Sequence, residues 1–294
     1  MGAVYKRELK ALMTNLYVPV FAAILLCVVG VVMYRINLME GIADVSYNLM
    51  GYGEYALCLL IPPLCMRSVT YDRKRGTDRL YFSLPVRMSS VVVGKYFAVL
   101  TVFAAPLIIL ALYPLLLKTM GDVNLVSAYA SLGMYFLLGA ALIALCMFIA
   151  SLTRYMTVAA VVGVLSCALL YFMQYLALRV PYTSLASLIG LGILAVLLIL
   201  VAWFVTKSPV ATAVTAVIAV LPLAVLYILD TVVFKWGAFE GLISRVMMRM
   251  SPFTHFFSTV NDLYFDLFGV AVDLAFVAFF LLLTVQSMNC RRRA

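Results

Sequence analysis

The chain has 294 residues, of which 66% are hydrophobic and 11% charged, with a mean hydropathy of +1.13 and a formal charge of +9. A soluble domain carries roughly 25% charged residues and about half apolar ones, so too few charges remain here to coat an apolar core. A secreted enzyme, a nucleic-acid-binding domain and a disordered chain are excluded; an integral membrane protein remains, and its positive balance reads as membrane topology.

Residues 4–16 place Leu9, Leu12, Met13 and Leu16 on one helical face and cations on the other, which predicts a helix lying in the inner membrane interface. Lys6, Arg7, Glu8 and Lys10 lead into a full-length span without a small-residue cleavage site, so no cleavable signal is expected. A spanning helix needs about 20 apolar residues. Eight stretches qualify: Tyr17–Tyr34, Tyr52–Met66, Tyr96–Leu117, Ala128–Leu152, Met156–Leu178, Ser184–Thr206, Val210–Phe234 and Gly269–Met288. The second is the shortest, with an alternative start nearer Tyr47 and with Glu54 close to its outer end. The fold expected is an all-α, polytopic transmembrane bundle of about eight spans, forming one domain over residues 1–294.

An even number of spans puts both termini on one side. With the termini cytoplasmic, the inner segments hold 15 of the Lys and Arg residues, among them Lys95, Arg154 and Arg291–Arg293, against six outside. Residues 67–95 are then the long cytoplasmic loop and residues 235–268 the long outer one. Within the outer segment Phe239, Leu242, Ile243, Val246, Met247 and Met250 form one helical stripe, and Ser251-Pro252 reads as an N-cap followed by proline at the first helical position.

Catalytic machinery is not legible. Gly94-Lys95 fails as a phosphate loop, because Ser89 stands where the first glycine belongs and Tyr96 where a magnesium-binding Ser or Thr is needed. There is no HExxH or GxSxG motif. The single histidine, His255, reads as a hydrogen-bonded surface or interface residue. Cys27, Cys58, Cys65, Cys146, Cys167 and Cys290 have no CxxC spacing, and most read as buried small hydrophobes. Glu54, Asp230 and Asp273 fall near outer ends of spans and read as interfacial anchors, which weakens an ion-coupled carrier, whose coupling groups belong deep in the bilayer.

The cytoplasmic loop carries the pattern. Asp72-Arg73-Lys74-Arg75-Gly76-Thr77-Asp78-Arg79-Leu80 is followed by Leu84-Pro85-Val86 and then Val91-Val92-Val93-Gly94-Lys95. Gly76-Thr77 suits a break between two short helices, and Leu84-Pro85 an extended step, which together predict a compact basic elbow.

This loop resembles the pattern E-x-R-x-G-T-x-E-L…P-[VI]-S…[IV]-x-x-G-K that follows the second span in permease subunits of ABC-2-type, ATP-driven transporters. The matches are Arg73–Arg75, Gly76, Thr77, Leu80, Pro85, Val86, Gly94 and Lys95. Gly133–Ala160, with Ala150-Ser151-Leu152-Thr153-Arg154, is similar to that family's fourth and fifth spans and their tight turn. Ser251–Phe256, leading to Phe280–Thr284, resembles the closing segment of its gliding-motility-type branch. Two positions depart from the pattern: Arg79 stands where the family has an acid, with Asp78 one position earlier, and Arg87 replaces a small hydroxyl residue. Residues 184–234 look like a helix pair inserted into a six-span, type V exporter-like core.

The resemblance implies a permease subunit in a bacterial cell membrane, paired with an identical or related second permease and with cytoplasmic ATPase subunits. ATP-Mg would sit on the ATPase, and this chain would bind no cofactor or metal and carry no catalytic residue. Asp72, Arg73, Arg75, Gly76, Thr77, Asp78, Arg79 and Pro85 are the expected ATPase-coupling residues. Tyr171, Gln174 and Tyr175 form a polar-aromatic face in the fifth span that suits either the substrate path or a helix–helix seam. The cargo expected is hydrophobic or amphipathic, exported, with an accessory extracytoplasmic subunit allowed for. Two other readings stay open: an ion-coupled secondary transporter, and a membrane anchor that transports nothing.

Overall fold

The computed structural model describes residues 2–41, 45–75, 88–119, 121, 123–179, 181, 183, 187–190, 192, 241–262 and 267–293. Every element among them is helical: α1 (Gly2–Met13), α2 (Tyr17–Met33), α3 (Val45–Asn48), α4 (Glu54–Arg75), α5 (Met88–Leu110), α6 (Tyr113–Lys118), α7 (Leu125–Leu152), α8 (Met156–Arg179), α9 (Leu242–Met250), α10 (Pro252–Asp262) and α11 (Leu267–Arg293). They fall into two compact units, one of residues 1–170 and 252–294 and the other of residues 171–251.

Five helical stretches among the described residues are long and apolar enough to cross a bilayer: Tyr17–Met39, Met88–Lys118, Leu125–Leu152, Met156–Ala177 and Leu267–Cys290. They coincide with the first, third, fourth, fifth and eighth spans expected above. The seventh lies outside the described residues, as does the sixth except for residues 187–190 and 192. The second is absent from this set. Its helix is nonetheless longer than its hydropathy suggests, because α3 runs through a π-helical stretch, Leu49–Gly53, directly into α4. The helical path therefore starts at Val45, close to the alternative start nearer Tyr47.

The core of the first unit is α7. From Leu138 to Met147 every residue is buried, as expected of a helix that is apolar all round, and Gly139, Ala140, Ala141 and Ala144 let neighbours approach closely. Asn124 caps its start, its Oδ1 accepting from the Val126 and Ser127 amides. Helices α4, α5, α10 and α11 pack around it. Thr153 closes the three-residue turn into α8, its Oγ1 accepting from the Tyr155 amide at 3.0 Å. The sequence had placed a tight turn there.

Contacts along α7 fix the helix directions. Ser46 Oγ meets Ser127 Oγ at 3.2 Å, the Tyr135 hydroxyl donates to Gly53 O at 2.8 Å, Cys65 Sγ reaches Ile143 O at 3.7 Å, and Thr70 Oγ1 donates to Ala150 O at 3.2 Å. Residue numbers rise together, so Val45–Arg75 runs parallel to α7 over its length. Helix α5 is antiparallel: the Tyr96 hydroxyl donates to Ala140 O, Phe103 stacks on Phe136, and the Tyr129 hydroxyl reaches Ala111 O. Helix α11 is parallel to α7, with Phe148 against Phe280 and Ser151 hydrogen-bonded to Ser287. One end of this unit thus gathers α1, the end of α4, the start of α5, the α7–α8 turn and the end of α11. Helix α8 meets α4 where Pro62 and Pro63 interrupt the backbone ladder. A Cβ on Gly163 would come 2.8 Å from the Pro62 ring, so only glycine lets the two helices sit this close.

In the second unit, Ser244 Oγ on α9 donates to Ala177 O at 2.8 Å, and Ile243 packs against Gly190. The predicted outer stripe is helical from Leu242 to Met250; Phe239 lies outside the described residues. Helix α10 begins at Pro252, where Ser251-Pro252 predicted a helix start.

Candidate functional site

The densest group of polar contacts lies at the end of the first unit that holds α1 and the loop stems. Its centre is Lys95, in the second turn of α5. The side chain is 2% exposed; its Nζ lies 3.1 Å from Glu8 Oε1 on α1 and donates to Ser68 O on α4 at 2.7 Å. A buried ammonium needs a counter-ion and hydrogen-bond acceptors to offset lost hydration, and both are supplied by other helices. The sequence placed Lys95 among the solvated loop cations. The structure corrects this: α5 begins at Met88, which sets Lys95 inside the packed helix.

Its neighbour Gly94 makes the contact possible. A Cβ there would lie 3.2 Å from Val4 Cγ1 and 3.5 Å from the Tyr5 amide nitrogen, so the bare Cα lets α1 lie on α5. Val4 packs on Met88 and Val91, and the Tyr5 hydroxyl meets Thr101 Oγ1 at 3.0 Å. A second tie runs from Arg67 of α4, whose Nη2 donates to Asn15 Oδ1 at 2.6 Å while its guanidinium lies 5.2 Å from the centre of the Tyr17 ring. The apolar face predicted for residues 4–16 is real at Leu12, which is buried, but Leu16 and Met13 are exposed. Lys6, Arg7 and Lys10 point outward.

These contacts bracket the predicted coupling segment. Asp72, Arg73 and Arg75 stand in the last turn of α4, which ends one residue before Gly76, and their side chains are outside the description. Gly76, Thr77, Asp78, Arg79 and Pro85 lie outside the described residues. In α8 the Tyr171 and Tyr175 hydroxyls are hydrogen-bonded at 2.9 Å, with Tyr171 buried and Tyr175 exposed; the Gln174 side chain is outside the description. Nothing in the local sequence around Gly94 and Lys95 marks Glu8, Ser68 and Arg67 as belonging to the same cluster. The available signal was a glycine-lysine pair facing a lone acid in the preceding amphipathic helix.

Two further expectations are corrected. Glu54 and Asp273 are each 1% exposed rather than wet anchors at span ends. Glu54 follows Gly53, which contacts Tyr135 well inside α7, and nine helical residues precede it. Asp273 lies on α11, and the Phe148–Phe280 and Ser151–Ser287 pairs, counted back along both helices, bring it level with the middle of α7. Asp230 lies outside the described residues. His255 is likewise buried, on α10, with its ring 6.4 Å from that of Phe268. Cys58, Cys65, Cys146 and Cys167 are buried and Cys27 and Cys290 exposed, all as free thiols. No group of three metal-ligating side chains occurs among the described residues.

The family model described as ABC-2 family transporter protein matches residues 5–208, so it spans α1, the clamp and the loop. The chain belongs to the ABC-2 family of transporter proteins, whose members are membrane components that generally work with a cytoplasmic ATPase. No curated protein and no solved structure matches it.

Proposed function

We propose that the chain is the permease subunit of an ATP-driven exporter, with ATP-Mg bound and hydrolysed on a separate ATPase subunit docked on residues 72–95. The observation that carries this reading is the buried contact of Lys95 with Glu8 and Ser68 O, which joins both stems of that loop to α1 at the end richest in cations. The positive-inside rule makes this end cytoplasmic, and with it both termini. Asp72, Arg73, Arg75, Asp78 and Arg79 dock against the ATPase, while Gly76, Thr77 and Pro85 shape the bend between them. Closure of the ATPase dimer draws the loops of two permease subunits together and tilts α4 and α8, which meet at Pro62 and Gly163. Substrate moves because its affinity differs between the two states so produced. Tyr171, Gln174 and Tyr175 line the path, and the exposed apolar faces of the spans suit a hydrophobic or amphipathic cargo. The remaining spans expected over 184–234 form an added pair, residues 235–268 shape the exit, and the closing segment supports the gliding-motility-type branch in a bacterial cell membrane.

The test is a pull-down of the detergent-solubilised chain from its native membrane. Wild type is compared with a variant carrying Asp72→Ala, Asp78→Ala and Arg79→Ala. Capture of a P-loop ATPase by the wild type and its loss in the variant are the expected results. No ATPase with the wild type, even with non-hydrolysable ATP and mild crosslinking, overturns the reading. The burial of Glu54 and Asp273 favours a second reading, ion-coupled transport. It predicts transport that follows an ion gradient and stops in Glu54→Gln or Asp273→Asn, whereas the exporter stops when ATP is withdrawn and needs no ion gradient.

A further inference from the structure

We infer that Glu8 and Lys95 are positioning residues that make α1 and the two loop stems one moving block, so that α1 travels with the coupling loop instead of staying fixed at the membrane surface. This rests on the exporter reading. Three elements meet at one buried ammonium: Glu8 from α1, the Ser68 carbonyl from α4, and Lys95 itself from α5. Lifting α1 from α5 would part the charges where neither side chain has water to replace its partner, since they are 8% and 2% exposed.

The surrounding contacts act in the same sense. The Gly94 surface fits Val4, the Tyr5 hydroxyl meets Thr101, and Arg67 ties α4 to Asn15 at the joint between α1 and α2. Helix α1 is thus fastened at its start, middle and end to the helices that carry the loop. Its outward side, with Lys6, Arg7 and Lys10, is exposed beside those stems. A displacement of the loop is therefore delivered to α1 and, through Asn15 and the Tyr17 ring under Arg67, to the start of α2.

The decisive test locks α1 to α5 and asks whether the cycle survives. The full chain carries Val4→Cys and Gly94→Cys, with Cys27→Ser and Cys290→Ser, and is purified with its ATPase. A Cβ at residue 94 lies 3.4 Å from the Val4 Cβ, close to the separation in a disulfide. Copper-phenanthroline takes two electrons, and two protons leave, as the two thiols join. The expected result is a cross-link that forms readily and leaves ATP hydrolysis at the level of the same variant kept reduced. A cross-link that abolishes hydrolysis shows that α1 parts from α5 and overturns the inference, as does a pair that never cross-links.

A second arm labels Leu16→Cys, an exposed position in the joint between α1 and α2, with and without ATP and vanadate. The labelling rate is expected to change with nucleotide, to lose that change in Lys95→Met while the ATPase still co-purifies, and to regain it in Glu8→Lys with Lys95→Glu. Undiminished change in Lys95→Met, or no change in the wild type, counts against the inference. Should Lys95→Met not insert, the cross-link decides alone, because both charges remain in place there. Absence of any ATPase instead sinks the exporter reading, which separates the two failures.

Discussion

Replacing Glu8 with Gln removes one charge from a pair in which neither side chain is more than 8% exposed. Lys95 Nζ then keeps the Ser68 carbonyl, 2.7 Å away, as an acceptor. Breaking a buried pair from one side costs about 3–5 kcal/mol, because the remaining charge is left without its counter-ion. The surviving carbonyl puts Glu8→Gln near the lower end, about 3 kcal/mol. Lys95→Met takes the ammonium from both a buried carboxylate and a carbonyl and falls near the upper end, about 5 kcal/mol. Removing both charges, as in Glu8→Leu with Lys95→Met, leaves an apolar contact of similar volume and costs about 1 kcal/mol or less. The signature is therefore strong non-additivity, with the double variant more stable than either single one. The assay is thermal unfolding of the full chain in detergent micelles, where each single variant lowers the midpoint by roughly 6 °C or more. Single-variant midpoints within error of wild type, or costs that simply add, would refute the argument.

Gly139→Ala in α7 drives a Cβ into the ring of Phe103, itself stacked on Phe136, and should cost about 1–3 kcal/mol, whereas Gly30→Ala, with nothing within 4 Å, should leave the unfolding midpoint unchanged or raised. Tyr135→Phe removes the hydroxyl that donates to the Gly53 carbonyl and lowers stability by about 1 kcal/mol in the same measurement. Ser244→Ala breaks the bond to Ala177 O, about 1 kcal/mol, and should appear as faster hydrogen exchange confined to α9.

The sequence was most legible where one physical signal dominates. Unbroken apolar length marked five spans, Ser251-Pro252 marked the start of α10, and the Ala150–Arg154 turn fell where α7 gives way to α8. It was least legible where a charge sits near a helix end, because hydropathy does not tell a wet end from a packed one. Glu54 reads as terminal when its span is started at Tyr52; the helix enters from Val45, with Asn48 Nδ2 donating to Asn37 Oδ1 across the α2–α4 connection. Lys95 looked like a loop cation because its partner, Glu8, is remote in sequence, and nothing local marks the two as a pair. Of the residues that the family resemblance implies, Asp72, Arg73 and Arg75 stand in the last turn of α4 and the other five fall on the stretch between α4 and α5, so the described helices bear on those five only through the stems.

The matched contacts between Val45–Arg75 and α7 bear on which changes of length the chain tolerates. One residue inserted near Leu138 would turn everything after it by about 100° and advance it 1.5 Å. The Cys65–Ile143 and Thr70–Ala150 contacts would then be lost while Ser46–Ser127 stayed. An insertion at the same height in α4 would bring the lost contacts back into step. The Phe148–Phe280 and Ser151–Ser287 contacts would need a matching insertion in α11, so these helices can lengthen or shorten only together and single-residue changes of length are confined to the connections between helices.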